Sequence, residues 1–343
     1  MFDEEKMRDY AASYVPYAPF EALRGQRIVV TGVTGMIGTA VAELLLAADR
    51  ALDLGLSIVG VGRDAARAEE RFGVSTRGGQ TFTFLSHDLC TPLELEGRVD
   101  AIIHAASPAY PAAFAKTPVE TMLANLDGTH HLLDLAREKG ASFLFVSSGE
   151  IYGTTDKDTK AEDDYGYVDA MQPRSCYPNS KRAAETLCAC YAAEYGIRAV
   201  VARLSHTYGP TMTERDNRAA TDFLRAAHRG EDIVLRSTGA MVRSYTYVYD
   251  VATALVTLLV KGDSATAYNV ADPASVVSIR ELAEQIATLG GRQVTLDLPQ
   301  DAGALGYTTI PRQVMESTRL CALGWQPRQP LAANLADTLT LLA

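Results

Sequence analysis

The sequence has few of the features that mark specialised classes of protein. It has five cysteines, and only Cys188 and Cys190 are close together, at a spacing that points them apart on a helix. Its longest clean apolar run, "VATALVTLLV", is too short to span a bilayer. Its 42 acidic residues outnumber its 32 lysines and arginines, so the net charge is -10. We therefore expect no disulfide, no metal site, no membrane association and no nucleic-acid partner, because a nucleic-acid surface needs clustered Lys and Arg.

The composition that the sequence does have predicts a folded protein with a packed core. Hydrophobic residues make up 47% of 343 positions, which is ample for a packed core, and the length corresponds to about two domains. The amino terminus, "MFDEEKMRDY", is acidic and lacks the basic-then-apolar order of a signal peptide. We therefore expect a cytoplasmic protein, in which any anionic ligand is bound by local charges.

The first two-thirds of the chain alternates short apolar runs with helical patterns. The predicted strands are 27–32, 57–62, 81–88, 99–106, 141–148 and 197–205, and the predicted helices include 36–48, 113–139 and 177–195. This alternation is typical of a parallel sheet covered by helices on both faces. The sequence therefore predicts an α/β fold with a doubly wound parallel sheet of the Rossmann type.

The pattern becomes irregular after residue 205, which predicts a smaller C-terminal α/β lobe that binds substrate. The expected domains are 1–205, to which 245–260 returns, and 206–343. Residues 153–173 are polar, acidic and rich in turn formers. This composition favours a solvated loop, and the alternative is a lid over a pocket.

A glycine-rich turn directly follows the first predicted strand. "VVTGVTGMIG" places Gly32, Gly35 and Gly38 between that strand and a helix that begins with Met36 and Ile37. Glycine permits a tight turn and a close approach of the backbone, and a helix N-terminus offers free N–H groups to a pyrophosphate. This context predicts a dinucleotide-binding site.

The ends of the next strands bear on the choice of dinucleotide. The second strand ends in Gly62 and Arg63, where an acidic residue would usually bond the adenosine ribose. Arg63 could instead pair with a 2′-phosphate, which favours NADP slightly and leaves NAD open. Asp88, at the end of the third strand, suits the adenine amino group, and "HAAS" at the end of the fourth suits the cofactor's ribose side.

A tyrosine and a lysine lie one helical turn apart in "SCYPNSKRAAE". Tyr177 and Lys181 can therefore share a helix face, although this spacing alone is common. The same chain also contains "TGVTGMIG", "HAAS", "NLDGTHHLL", "SSGEIYG", "RLSHTYGP" and "VRSYTYVYDVATAL". In order and spacing these motifs resemble the extended short-chain dehydrogenase/reductase family that modifies nucleotide sugars, over about residues 25–340.

The resemblance implies a role for each matching residue. Tyr177 would take the proton of the sugar 4-hydroxyl while C4 gives hydride to a tightly bound, recycled nicotinamide, Lys181 would bond the nicotinamide ribose, and Ser148 would bond the same sugar oxygen. A phenol is a poor base at neutral pH unless cations stabilise its phenolate. The remaining cofactor positions would include Leu89, Ala105, Ala106 and Asn125. The family also implies a homodimer, formed through 113–139 and 177–195.

The resemblance is closest to UDP-glucuronate decarboxylases. Glu150 in "SSGEIYG", Arg174 three residues before Tyr177, and Arg243 in "VRSYTY" carry it. Position 149 is glycine, which departs from the Asp–Glu pair of the 4,6-dehydratase branch. A UDP-glucuronate decarboxylase-like reaction is therefore expected, followed as alternatives by 4-epimerisation and then dehydration. An inactive cofactor-binding regulatory module is the non-enzymatic alternative.

Further positions are assigned by the resemblance to substrate binding. They are Ser107, Ser148, Arg174, His206, Arg218 and Arg243, with Arg218 expected at the diphosphate of a nucleotide sugar, of which UDP-sugars are favoured. His206 stands where most relatives have asparagine, so it is either a substrate ligand or a packed histidine. His104 lies on an apolar strand, and we expect it to be a hydrogen-bonded structural residue.

Overall fold

A computed structural model describes residues 4–77, 81–214, 216–298 and 310–342 of the chain. The predicted domains extend at both ends over residues outside these ranges. None of the helices in the described part is both long enough and apolar enough to cross a membrane.

The strands follow the predicted order closely. They are β1 (Arg27–Thr31), β2 (Ser57–Gly62), β3 (Phe82–Ser86), β4 (Ala101–His104), β5 (Ser142–Ser148), β6 (Thr159–Lys160), β7 (Ala199–Leu204), β8 (His206–Tyr208), β9 (Ile233–Leu235), β10 (Val242–Tyr247), β11 (Thr266–Val270), β12 (Val276–Ser278), β13 (Val294–Leu296) and β14 (Arg312–Met315). Each of the six predicted strands is present, and five of them are one to four residues shorter than predicted.

Most of the helices lie between these strands along the chain. They are α1 (Glu4–Ala12), α2 (Met36–Leu52), α3 (Ala65–Arg77), α4 (Pro111–Lys116), α5 (Pro118–Lys139), α6 (Cys176–Tyr195), α7 (Ala219–His228), α8 (Val248–Lys261), α9 (Ile279–Gly290), α10 (Thr318–Cys321) and α11 (Leu331–Leu341). The single helix predicted over 113–139 is wrong, because Thr117 leaves helical geometry and Pro118 begins a new helix. The residue before a proline is disfavoured in the α region, which explains the break.

The described residues form a seven-stranded sheet in the order β11-β7-β5-β4-β1-β2-β3. All six neighbouring pairs are parallel. The strand order reverses direction between β1 and β4, which creates a crevice at the carboxyl ends of these strands. The predicted doubly wound fold is therefore confirmed, and the glycine turn that follows β1 lies at this crevice.

Alternating side chains of the sheet fill two separate cores. Ile28 and Val30 of β1 belong to a core that includes α2 and α8, whereas Val29 belongs to a core that includes α5 and α6. Because successive residues of a strand point to opposite faces, a strand covered on both sides reads as a continuous apolar run. This is why the strand sequences, such as "RIVVT", show no polar alternation.

A second, smaller lobe is built from two further sheets. One has the order β12-β10-β14-β6, with β8 paired to β10, and the other pairs β13 with β9. Helices α7, α9 and α11 pack against one another in this lobe. The chain also returns to the large sheet, since α8 packs on α2 and β11 pairs with β7. The exact domain boundaries stay a prediction.

The acidic segment 153–173 is not a simple solvated loop. Lys160 and Glu162 are buried, and Glu162 accepts a hydrogen bond from the Asn269 backbone N–H at 2.9 Å. Arg182 of α6 donates to the carbonyl of Gly166 at 2.8 Å. The expectation of a fully solvated segment is therefore wrong at these positions, because specific partners compensate the burial of its charges.

Arg203 of β7 connects this segment to the large sheet. Its guanidinium donates to Glu185 of α6 at 2.7 Å, to the carbonyl of Glu162 at 2.6 Å and to the Tyr152 hydroxyl at 3.1 Å. The side chain is almost completely buried. Such a guanidinium rigidly joins three parts of the chain, and removing it leaves the Glu185 carboxylate without this partner.

We expect Arg203→Met to lower the free energy of unfolding by about 3–5 kcal/mol, because it leaves the largely buried Glu185 carboxylate without its arginine partner. Chemical denaturation with two spectroscopic probes measures the change. Arg229→Met is the matched control, since Arg229 pairs with Glu231 at 2.7 Å on the surface, and exposed pairs contribute about 0–1 kcal/mol. Equal losses in the two variants would contradict a structural role for Arg203.

Candidate active site

The glycine turn after β1 brings three backbone segments into direct contact. Gly32 has a φ of 68°, and a Cβ there would lie 2.7 Å from the Ala106 Cα. A Cβ on Gly38 would lie 2.3 Å from the Gly32 carbonyl oxygen. The first N–H groups of a helix have no partner within it, and Gly35 provides no side chain to cap those of α2. A close backbone turn with free N–H groups is what a pyrophosphate requires, and the use of this turn by the cofactor stays a prediction.

We expect Gly38→Ala to weaken NAD binding at least about tenfold, because the added methyl group would push the turn open. Isothermal titration with NAD and NADP measures the loss. Gly55→Ala is the matched control, since Gly55 also lies in a turn, with a φ of 68°, but a Cβ there meets nothing within 4 Å. An unchanged dissociation constant in Gly38→Ala would show that the cofactor does not use this turn.

The predicted adenosine side of the site is open. Arg63 lies 4.0 Å from Asp88, and both side chains are more than half exposed. The backbone N–H of Cys90 donates to the Asp88 carboxylate, which lowers the pKa of that carboxylate. The adjacent Leu89 carbonyl lies 3.0 Å from Nδ1 of His131. Arg63 can therefore approach a ribose or its 2′-phosphate without leaving a buried partner.

A buried hydrogen-bond chain joins the end of β4 to helix α6. The Ser107 hydroxyl donates to Asn125 of α5 at 2.8 Å, and the Asn125 amide donates to Ser180 at 3.0 Å. Ser180 in turn donates to the backbone carbonyl of Tyr177. Asn125, assigned above to the cofactor site, therefore also fixes the position of α6 relative to β4.

The histidine of "HAAS" has a structural hydrogen bond, as expected. Nδ1 of His104 lies 2.8 Å from the Thr31 hydroxyl, and the ring is buried. Burial and the nearby Lys181 lower the pKa of His104 to about 3. The ring is therefore neutral at physiological pH, and Ala105 and Ala106 follow it at the mouth of the cradle.

Tyr177 lies in the first turn of α6 and is buried. Burial raises the pKa of its phenol to about 12, and the negative charge of Glu150 contributes to the increase. A hydrogen bond with Ser148 and the positive charges of Arg218 and Arg174 act in the opposite direction. Four predicted residues, Ser148, Glu150, Arg174 and Arg218, therefore all influence the Tyr177 phenol, although the five residues are distributed over 71 positions of the sequence.

Lys181 lies on the same helix face as Tyr177 and is also buried. Its ammonium donates to the Val146 carbonyl at 2.8 Å and lies 5.9 Å from the centre of the Tyr177 ring. Burial lowers the pKa of Lys181 to about 7, and the Glu185 carboxylate opposes that decrease. A ligand oxygen beside the ammonium would favour its charged form further.

Glu150 forms a two-pronged ion pair with Arg174. The two guanidinium nitrogens lie 2.9 and 3.0 Å from the two carboxylate oxygens. The Glu150 backbone N–H also donates to the Ser148 hydroxyl. Both charged side chains are about one-quarter exposed. The pair is consequently reached by solvent, so a ligand anion could compete for the guanidinium.

The remaining predicted residues belong to the smaller lobe. The Arg218 guanidinium donates two hydrogen bonds to Asp216, at 2.6 and 2.8 Å. Arg243 is buried and donates to the carbonyls of Val242, Pro311 and Ile310. His206 lies near Tyr245, and burial together with Arg243 and Arg218 lowers its pKa to about 3. A neutral His206 can donate or accept a hydrogen bond, and its role as a substrate ligand or a packed histidine stays a prediction.

Three residues that contact this cluster were not identified from the sequence. Phe114 of α4 stacks on Tyr177, with ring centres 4.6 Å apart. Glu185 supports Lys181 electrostatically from one turn further along α6. Tyr245 is paired with His206 in the register of β10 and β8. Only Glu185 had a sequence signal, since it lies four residues after Lys181 on the same helix face. Among the described residues, no group of three His, Cys, Asp or Glu side chains could hold a metal ion.

The chain matches a known family over most of its length. Residues 28–271 fit the profile of the NAD dependent epimerase/dehydratase family. The protein therefore belongs to that family, which confirms the resemblance seen in the motifs and the expectation of a nicotinamide dinucleotide. A preference for NADP stays a prediction.

Two UDP-glucuronic acid decarboxylases and one solved epimerase structure are similar to this chain over most of its length. UDP-glucuronic acid decarboxylase 1 of Xenopus tropicalis is 30% identical over 340 residues, which cover 97% of this chain and 76% of the relative. UDP-glucuronic acid decarboxylase 6 of Arabidopsis thaliana is 32% identical over 317 residues, which cover 90% and 86% of the two chains. Among solved structures, UDP-glucose 4-epimerase of Thermus thermophilus, in complex with NAD, has a TM-score of 0.73 at 25% identity, and the match covers 92% of this chain and 98% of the epimerase.

Proposed function

We propose that this protein is a nucleotide-sugar enzyme that oxidises its substrate at C4 and decarboxylates it, with UDP-glucuronate as the best candidate substrate. The observation that carries the proposal is the ion pair between Glu150 and Arg174 beside Tyr177. It places an anion-binding guanidinium and a carboxylate next to the proposed proton acceptor. The similarity to UDP-glucuronic acid decarboxylases supports the same reaction.

In the first chemical step, Tyr177 accepts the proton of the 4-hydroxyl. A nicotinamide bound here would supply the hydride acceptor for C4 and the hydride that is returned at the end of the reaction. Ser148 holds the reacting oxygen, while Lys181 and the arginines near Tyr177 stabilise its phenolate. The cofactor would be held by the turn and by residues alongside it, which are Gly32, Gly35, Met36, Ile37 and Gly38 at the pyrophosphate and Leu89, Ala105, Ala106 and Asn125 at the rest of the molecule.

The second step requires little acid catalysis. A ketone at C4 makes the uronic acid a β-keto acid, so the bond between C5 and the carboxylate breaks and its electrons form an enolate. Carbon dioxide leaves, and a proton then replaces it at C5. Arg174 would position the departing carboxylate, and Glu150 would orient or relay that proton. The residues proposed to contact the sugar and the diphosphate are Ser107, His206, Arg218 and Arg243.

Incubation with a panel of nucleotide sugars tests the proposal by mass. Loss of about 44 mass units from UDP-glucuronate marks decarboxylation, loss of about 18 marks dehydration, and an unchanged mass with a new retention time marks epimerisation. If the enzyme converts UDP-glucuronate into its 4-epimer and forms no pentose product, the proposed reaction is wrong. The panel also compares UDP, CDP, GDP and dTDP sugars, among which UDP is expected.

The cofactor is proposed to remain tightly bound and to be recycled. Mass spectrometry of the denatured protein should detect NAD or NADP, and titration should show which of them Arg63 favours. Finding neither, with no binding on titration, would support a regulatory module without catalytic activity. The complete set of Ser148, Tyr177 and Lys181 supports the enzymatic alternative.

A homodimer is proposed through α5 and α6, which pack against each other. Val119 and Leu123 of α5 and Tyr195 of α6 have exposed apolar side chains. Burying these side chains between two copies would form a four-helix contact. Sedimentation should therefore show a dimer at micromolar concentration, and monomer alone would contradict the proposal.

A further inference from the structure

Phe114 contacts two functional groups of the site at once. Its ring stacks on Tyr177, with centres 4.6 Å apart and planes 23° from parallel. The Arg174 guanidinium carbon lies over the same ring, 4.6 Å from its centre. Arg174 is also the partner of Glu150. One apolar side chain therefore lies against both the proposed proton acceptor and the proposed carboxylate-binding group.

The apolar surroundings of Phe114 are separate from the two large cores. Phe114 forms a small buried cluster with Ala113, Cys176 and Tyr177, and Tyr110 packs at its edge. Helix α4, which supplies Phe114, has six residues, and Thr117 separates it from α5. The phenyl ring is thus the main apolar contact between this short helix and the site. Its loss should act locally, because neither large core includes it.

We propose that Phe114 is a positioning residue, which shields the Tyr177 phenol from water and holds the Arg174 guanidinium against the ring in the orientation that receives a substrate carboxylate. Stacked aromatic rings and a guanidinium over a ring face are both favourable geometries. The first action concerns oxidation of any accepted sugar. The second concerns the uronate carboxylate, and this part rests on the proposed function.

The two actions have different chemical consequences. The groups that face Tyr177 are Ser148, Glu150, Arg174, Lys181 and Arg218. Burial is the largest cause of its raised pKa, so admitting water should lower that pKa. Oxidation requires the phenolate, and its rate therefore increases with pH through this pKa. Exposure of Tyr177 to water would move the increase in oxidation rate to lower pH. Loss of the contact between Arg174 and the Phe114 ring alone would not move it.

Three substitutions separate these consequences. Phe114→Ala removes both actions. The increase of the cofactor-reduction rate with pH, its acid limb, should therefore move down by about one pH unit. The KM for UDP-glucuronate should increase about tenfold. Phe114→Leu retains apolar volume but has no ring, so only the KM should increase, about threefold. Phe114→Tyr restores the ring and should restore both values. Phe72→Leu is the matched control, since Phe72 stacks on Phe82 at the same 4.6 Å away from this cluster.

The measurements begin with single-turnover cofactor reduction from about pH 5 to pH 10. This range lies below the Tyr177 pKa of about 12, so a pKa lowered by about one unit appears as reduction about tenfold faster at each pH. Steady-state rates give kcat and the KM for UDP-glucuronate, and calorimetry gives the affinities for UDP-glucuronate and UDP-glucose. Reduction of the cofactor by either sugar reports on the shielding of Tyr177, even if no carbon dioxide is released. Failure of the decarboxylase proposal can therefore be told apart from failure of the proposed role of Phe114.

A lower kcat in Phe114→Ala with an unmoved acid limb would overturn the shielding role. Equal weakening of both sugars in Phe114→Leu would overturn the role in orienting Arg174. An acid-limb shift in Phe72→Leu would show that the effect is a general loss of packing.

Discussion

Tyr177→Phe is expected to reduce oxidation of the sugar by at least about a thousandfold, because it removes the proposed acceptor of the 4-hydroxyl proton. The aromatic ring is retained, so the stack with Phe114 at 4.6 Å should persist. Stopped-flow absorbance of the reduced nicotinamide in a single turnover measures the loss. Thermal unfolding should remain close to that of the wild type, since only a hydroxyl is removed.

Binding distinguishes this result from a misfolded site. UDP-glucuronate and NAD should bind Tyr177→Phe within a few-fold of their wild-type affinities, because Lys181 and the glycine turn are unchanged. If the variant reduces its cofactor at the wild-type rate, Tyr177 is not the proton acceptor. A candidate at another position would then be required, with Glu150 first because it lies beside the same phenol.

Glu150→Gln is expected to leave oxidation at C4 largely intact and to slow carbon dioxide release by about a hundredfold or more, because the carboxylate proposed to orient the replacing proton is lost. The amide retains the shape of the side chain and one acceptor for Arg174, which limits structural damage. Chemical trapping of the 4-keto uronate, together with release of labelled carbon dioxide, measures the two steps separately. The keto compound should accumulate in this variant.

Glu231→Gln provides the matched control. Glu231 is also paired with an arginine, Arg229, at 2.7 Å, but on the surface. Its replacement should change neither step. If Glu150→Gln blocks oxidation and decarboxylation equally, Glu150 is needed to assemble the site, and a specific role in proton transfer is wrong.

Most of the fold could be predicted from the sequence because its signals are local. The strands are buried on both faces, so each appears as a continuous apolar run between turn residues. The glycine turn could be identified for a related reason, since no side chain fits at Gly32 or Gly38. The helix over 113–139 was predicted incorrectly because its apolar pattern continues through Thr117, where one helix ends before Pro118 begins another.

Long-range contacts limited what could be predicted about the segment 153–173. Lys160 and Glu162 appear in the sequence as charges of a polar loop, and charged residues are usually exposed. They are buried because their partners, among them Asn269 and the carbonyl of Arg312, lie more than 100 positions away. A pattern within the segment therefore could not indicate their burial.

The sequence by itself determined the Rossmann-type sheet, the cofactor turn and the placement of Tyr177 and Lys181 on one helix face, because each depends on residues that are close in the chain. Only the tertiary structure decided how Glu150 and Arg174 pair and how Phe114 packs against Tyr177 and Arg174. These contacts join α4, the turn after β5 and the start of α6. Their geometry depends on how three separate segments pack, and spacing along the chain carries no information about it.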